Sequence, residues 1–228
     1  MTITLEFLRA RASRALCGLV WLHVPLVAVM AWALGVPLLV PLAMTALMAG
    51  ITLALVLRQP QAAATHIVLA ITLGMQIALM VGLMRGHAWQ SDMHMYFFAG
   101  LAMLAALCSW PAILAFVGFV AIHHLALNFL RSDLVFGGGA DLARVMLHAV
   151  ILLTEGVALG AMTYLLERMF RAQSEAVDLA DGARATAEQL LSSRSDVQAQ
   201  QARFLDRLIS GITDLVAGDY GREIAKDA

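Results

Sequence analysis

Charge is what this sequence has least of. Only 14% of its 228 residues are Asp, Glu, Lys or Arg. Between Ala15 and Leu57 there are none, and from Gln59 to Leu166 they are limited to Arg85, Asp92, Arg131, Asp133, Asp141, Arg144 and Glu155. A soluble domain needs a polar surface that such segments do not supply. A formal net charge of −1 excludes the basic footprint of a nucleic-acid binder. Cysteine is scarce too. Cys17 and Cys108 cannot form a disulfide framework, and each falls at an apolar helix end where a free thiol behaves as a small hydrophobe. No cleavable leader is expected: Arg9, Arg11 and Arg14 precede an apolar run longer than a signal-peptide core, with no small-residue cleavage site before the next span.

What is present is apolar: 61% of the residues, with a mean hydropathy of +0.80. About 20 apolar residues cross the ~30 Å hydrocarbon core as a helix. Six segments meet or approach that length: 16–35, 37–57, 63–84, 90–108, 111–130 and 145–167. They are separated by Gly35 with Pro37, by Arg58 to Gln61, by Arg85 to Ser91, by Trp110-Pro111 and by the loop Arg131 to Asp141. The expected fold is an all-α membrane protein, a six-transmembrane-helix bundle followed by a cytoplasmic helical stalk. Arg9, Arg11 and Arg14 before the first span, and Arg168 and Arg171 after the last, put both termini in the cytoplasm of a bacterial inner membrane. The expected parts are a cytoplasmic N-terminal segment 1–14, a sensor domain 15–167, a stalk 168–217 and a linker 218–228.

Charge returns at Glu167, and residues 168–217 contain no proline. Ala187, Leu190, Arg194, Val197, Gln201 and Phe204 step by three and four as coiled-coil core positions do. Leu205, Leu208, Ile212 and Leu215 continue in a shifted phase, the pattern of a stutter. This predicts a parallel homodimer, with one long amphipathic helix as the alternative. Val216-Ala-Gly-Asp-Tyr220 is expected to break the helix, and the eight residues beyond it leave no room for a catalytic domain. No enzymatic activity is expected.

Ionisable groups inside spans are costly, so they are the functional candidates. All seven histidines lie in or beside the spans. At ~1.5 Å per residue, His94 sits roughly 6 Å inside the outer boundary, His124 about 9 Å and His148 roughly 5–9 Å. Three imidazoles from three helices therefore share one depth, with His123 one residue further in. Asp92, Met93 and Met95 flank His94, and Asn128 shares the helix face of His124. Imidazole suits Zn, Cu, Fe and Ni, and thioethers lean toward copper. The expected cofactor is a transition-metal ion, copper first, with zinc or iron as alternatives, held by His94, His124, His148, His123, Asp92, Met93 and Met95. Interhelical hydrogen bonding and a proton path are the competing readings. Deeper in the bundle, His23 precedes Pro25, which removes a backbone donor, and Glu155 lies mid-span two turns below His148. A carboxyl in hydrocarbon must be neutral or paired, and His23 is the histidine nearest its depth, so a His23–Glu155 pair is expected. His66 and His87 are read as structural and solvated.

The run Asp92-Met-His-Met-Tyr-Phe-Phe-Ala99, with His123-His124-Leu-Ala-Leu-Asn128, Leu147-His148-Ala149 and Trp21-Leu-His23, resembles the membrane sensor region of bacterial methyl-accepting chemotaxis proteins over residues 15–170. The resemblance implies a multi-span sensor preceding a cytoplasmic signalling domain or chemotaxis kinase complex. Leu215-Val-Ala-Gly-Asp-Tyr220 is similar to the linker before such output domains, with Tyr220 where Leu is commoner. Methylation helices and a kinase-coupling hairpin do not follow, so the chain is expected to be the sensor fragment of a longer receptor, whose output could equally be a diguanylate cyclase. Two other functions compete: a haem b protein with two histidines as axial ligands, and a metal or proton transporter using His23 and Glu155 as an inner relay.

Overall fold

The computed structural model describes residues 4–136 and 139–216. These residues contain no strand. They form α1 (Leu5–Ala33), α2 (Leu39–Arg58), α3 (Ala63–Leu83), α4 (Gln90–His94), α5 (Tyr96–Leu104), α6 (Trp110–Leu130) and α7 (Leu142–Val216), with 3-10 turns at Ala105–Leu107 and Ser132–Leu134. The expected linker 218–228 and the helix break after Val216 lie outside the described residues.

Local chemistry sets the boundaries. Thr4 caps α1 by accepting the Phe7 N–H at 3.2 Å, which satisfies one of the orphan donors of the first turn. Gly35, at φ +65°, turns the chain after α1 in a conformation that costs glycine little. Cys108 takes the left-handed conformation at φ 46°, and Pro111 in the first turn of α6 suits a position whose N–H has no intrahelical partner.

Among the described residues, five helices are long and apolar enough to cross a membrane: α1, α2, α3, α6 and α7. The sixth expected span, 90–108, is not one helix but α4, α5 and a 3-10 turn in succession. Around the first break the backbone bonds tighten to three residues, Met95 N–H to the Asp92 carbonyl and Phe98 N–H to the Met95 carbonyl, both at 3.1 Å. This is how a helix changes course while keeping its donors satisfied.

The bundle is built inside out relative to a soluble protein. Trp32, Leu39, Leu57, Ile122, Phe129 and Leu130 are exposed, while His23, Thr45, Thr52, Gln76, His124 and Asn128 are buried. A continuous apolar exterior of this kind fits lipid, not water. The core centres on Leu69, Leu73 and Ile77 of α3, packed with Phe97 and Leu101 of α5 and with Ile113 and Phe116 of α6. Close approach depends on Gly156 of α7, where an added Cβ would stand 2.7 Å from Val117 Cγ2 of α6. The first compact unit ends at Ala172. In the second, from Gln173, the residues described up to Val216 form helix alone, and Leu190, Val197, Phe204, Leu208 and Ile212 are exposed.

Candidate functional site

His94 ends α4, next to the break, and is buried with its ring edge-on to His124 of α6 at 4.8 Å between centroids and to His148 of α7 at 5.1 Å. The His124 and His148 rings stack 6.4 Å apart. The three imidazoles that share one depth in the sequence therefore also share one place.

Their protons are constrained by what surrounds them. His124 Nδ1 lies 2.8 Å from the Val120 carbonyl and His148 Nδ1 lies 2.9 Å from the Arg144 carbonyl. A carbonyl only accepts, so in the neutral rings Nδ1 carries the proton and Nε2 presents a lone pair. His124 Nε2 faces His94 Nε2 at 2.9 Å, so His94 must donate there. Its Nδ1 is then a bare lone pair, buried with no hydrogen-bond partner, beside the Val135 backbone. The other tautomer turns an N–H toward Val135 and sets two Nε2 lone pairs against each other. Neither neutral form satisfies His94 on both sides.

Beside the cluster is a cavity of about 30 Å³, lined by the three imidazoles and by apolar side chains that include Phe97, Ala121, Ala149 and Leu152. Phe136 covers the imidazoles: its ring stacks on His94 at 5.5 Å and meets His124 at 5.9 Å and His148 at 5.3 Å. Val135 and Phe136 are buried against Val145 and Leu127, and Arg144 lies over the Phe136 ring. This part of the 131–141 segment is thus a packed cover. Asn128 accepts the Asp141 N–H at 2.8 Å, so it ties that segment to α6. Sequence reasoning missed Phe136, because an aromatic in a polar, glycine-bearing loop gives no periodic signal.

The other expected metal ligands fall elsewhere. Asp92 and Met95 are exposed and Met93 half-buried, and all three line a separate open depression with Met84, Trp89 and Tyr96. Adjacency to His94 in sequence did not bring them to its ring, because successive helical residues point about 100° apart. The thioethers that favoured copper are therefore not with the imidazoles. His123 packs on Phe119, its ring 5.4 Å from His124, and its Nε2 is buried without a partner. Among the described residues, no group of three His, Cys, Asp or Glu stands ready-formed as a metal site. Two imidazole nitrogens on one tetrahedral Zn²⁺ at ~2.0–2.1 Å lie about 3.3 Å apart. The 2.9 Å contact of His94 and His124 would have to open by roughly 0.4 Å, a small ring rotation.

The pairing expected for His23 is corrected by the structure. His23 Nδ1 donates to Gln76 Oε1 at 2.8 Å, and its Nε2 accepts from the Tyr96 hydroxyl at 2.7 Å. Gln76 Nε2 donates to the Thr45 carbonyl at 3.3 Å. Both ring nitrogens are occupied, so nothing remains for Glu155, which is half-buried on α7. Gln76 is fully buried. It was legible as a polar residue inside the third apolar run, but not as a partner. His66 bonds the Pro60 carbonyl at 3.1 Å, and His87 accepts the Trp89 N–H in an exposed loop.

No family model, curated protein or solved structure matches the chain.

Proposed function

We propose that this chain is the membrane sensory module of a bacterial receptor, with a transition-metal site formed by His94, His124 and His148 and an output carried by α7. The observation that carries this reading is the unresolved bonding of His94. Two buried lone pairs set against each other at 2.9 Å are costly, a buried acceptor left unpaired alone costing about 1–3 kcal/mol, and a cation shared by the two Nε2 atoms would remove that clash. Were His94, His124 and His148 to hold a cation, the Nδ1 protons of His124 and His148 would keep their carbonyl partners. Imidazoles anchored this way through the second nitrogen are the usual metal-ligand arrangement. When bound, the metal supplies a Lewis-acidic centre with room for a further ligand. An all-imidazole donor set suits zinc, copper, iron or nickel, and the thioethers no longer tip the balance to copper.

Haem finds no support in the geometry: the cavity at the cluster, about 30 Å³, is far smaller than a porphyrin. A transporter relay loses its inner pair, since His23 is committed to Gln76 and Tyr96.

Signalling through α7 rests on His148 and the stalk belonging to one helix, Leu142–Val216. A ligand acts only by favouring one conformation over another, and drawing His148 toward His94 is such a bias. The exposed Leu190, Val197, Phe204, Leu208 and Ile212 suit a parallel homodimeric coil, leading to a chemotaxis-type or cyclase output in the cytoplasm. Counting α4–α5 as a sixth crossing is supported by Arg9, which bonds the Cys108 carbonyl at 2.7 Å and Glu167 at 3.2 Å. The start of α1, the end of the α5 segment and this point of α7 then share one end of the bundle, with both termini cytoplasmic.

The test is elemental analysis and absorption of protein purified without a His tag or chelator. One metal per chain is expected, lost in His94→Ala, His124→Ala and His148→Ala and kept in His66→Ala and His87→Ala. Full metal in all three variants, or a Soret band, would sink the assignment. No metal in the wild type together with a pH-dependent output would transfer the site to proton sensing. Cysteines at Leu190 and Val197 should cross-link between subunits more efficiently than one at Ser192, and a reporter after Ala140 should read as external.

A further inference from the structure

Glu155 lies in the middle of the apolar part of α7, half-buried, with neither a hydrogen bond nor an ion pair to any described residue. The nearby hydroxyls of Thr154 and Thr163 are turned back onto carbonyls of their own helix, those of Val150 and Gly160. A carboxyl in hydrocarbon is neutral unless paired with a charge, and it then carries one O–H donor and one carbonyl acceptor. Such a group is self-complementary, because an identical carboxyl at the same depth satisfies both atoms. A second copy of the chain, related by a two-fold axis along the membrane normal, places one there by symmetry. The surface around Glu155 is open and apolar. Ile151, Ala158, Met162 and Leu165 are exposed, and with Glu155 they step by four and three along one face of the helix. Beside Met162 this flank opens into a groove lined by Ala12, Ala15, Ala105 and Ala106, and small residues let a neighbouring helix come close. Counting back by sevens from Leu190 of the stalk pattern reaches Met169, Met162 and Glu155, so the face keeps the heptad phase of that pattern.

We propose that this face of α7 is the membrane part of the contact between two copies of the chain, with their Glu155 carboxyls hydrogen-bonded to each other across the two-fold axis. This rests on the parallel-homodimer reading above. The opposite flank of α7 also carries an open groove, against α6, lined by Val157, Gly160 and Tyr164 among others. That groove has no carboxyl, and a dimer built on it would leave both Glu155 groups unpaired.

The experiment uses the full chain in phospholipid vesicles. Single cysteines are placed at Ala158, Met162, Val157 or Leu190 on a Cys17→Ser, Cys108→Ser background and oxidised with iodine. Ala158→Cys and Met162→Cys should form disulfide dimers several-fold faster than Val157→Cys, which points roughly 140° away from Met162 round the helix. Dimer affinity is read separately, by energy transfer between labelled copies as the vesicles are diluted with lipid. Glu155→Leu should weaken it by about threefold to thirtyfold, the range of one interhelical hydrogen bond in a membrane. Glu155→Gln should restore it, because an amide also donates and accepts. Unchanged affinity in Glu155→Leu, or a Glu155→Gln variant as weak as Glu155→Leu, overturns the carboxyl pair. Linking at Val157 as fast as at Met162 overturns the face. Linking at Leu190 with none at Ala158 or Met162 overturns this proposal and leaves the stalk dimer standing. No linking at any of the four positions overturns the dimer reading and this proposal together.

Discussion

Two histidine centres sit in this bundle, and they are bonded in opposite ways. Around His23, every link has one direction: the Tyr96 hydroxyl donates to Nε2, Nδ1 donates to Gln76, and the Gln76 amide donates to the Thr45 carbonyl. Each polar atom has what it needs, and α1, α2, α3 and α5 are held together without any ligand. Around His94 the same kind of ring meets another Nε2 at 2.9 Å, and its own Nδ1 has no partner. The first centre is complete as it stands and reads as structural glue. The second has a clash of ring nitrogens that the proposed cation would relieve. Burial and residue type are shared by the two centres, so the matching of donors and acceptors is what separates His23 from His94.

The sharpest break in this comparison is metal content. His124→Ala should abolish it, whereas His23→Ala should leave it at one per chain by elemental analysis. Loss in both would mean that the two centres are one cooperative unit. Next comes the effect of metal on stability. Ligand at about a hundred times its dissociation constant adds about 2.7 kcal/mol, so thermal unfolding in detergent should rise with added Zn²⁺ for the wild type and for Tyr96→Phe, and stay flat for His94→Ala. A rise in His94→Ala would move the binding site elsewhere. Smaller is the cost of disturbing the complete centre without metal. Tyr96→Phe removes the donor to His23 and leaves its Nε2 bare, for roughly 1–3 kcal/mol, read as a lower midpoint with unchanged metal content.

The smallest effect concerns the outer loop. There the hydrogen-bonded Arg131 guanidinium, with Arg85 beside it, holds the Asp133 carboxyl below the usual carboxylate range. A carboxyl with a depressed folded pKa contributes stability above its unfolded value and loses it as pH falls through the folded one. Asp133→Asn should therefore remove a slight stability difference that exists at neutral pH and vanishes in acid. Because both side chains are largely solvated, a shift comparable to that of Tyr96→Phe would mean that the loop is tied into the imidazole cluster through Gln90, which bonds the Asp133 carbonyl.

Five apolar runs could be read from the sequence and became α1, α2, α3, α6 and the start of α7. The run 90–108 opens on the polar Gln90, Ser91, Asp92 and His94, and it turns at Met95. Nothing at Met95 marks the turn, since neither glycine nor proline stands there. It belongs with what α4 and α5 each reach: His94 meets His124, while Tyr96, two residues on, meets His23.

Depth was determined by the sequence, because rise per residue is fixed and the spans begin where charge ends. His94, His124 and His148 could be put at one level by counting. Azimuth was decided only by the tertiary structure. A soluble helix marks its inward face with an apolar stripe, but a helix in lipid is apolar on every side, so counting cannot say which way a ring points. That is why Asp92, Met93 and Met95, at the right depth, turned away from the site, why His23 met Gln76 and Tyr96 instead of Glu155, and why Phe136 could be found over the cluster only once the chain had folded back on it.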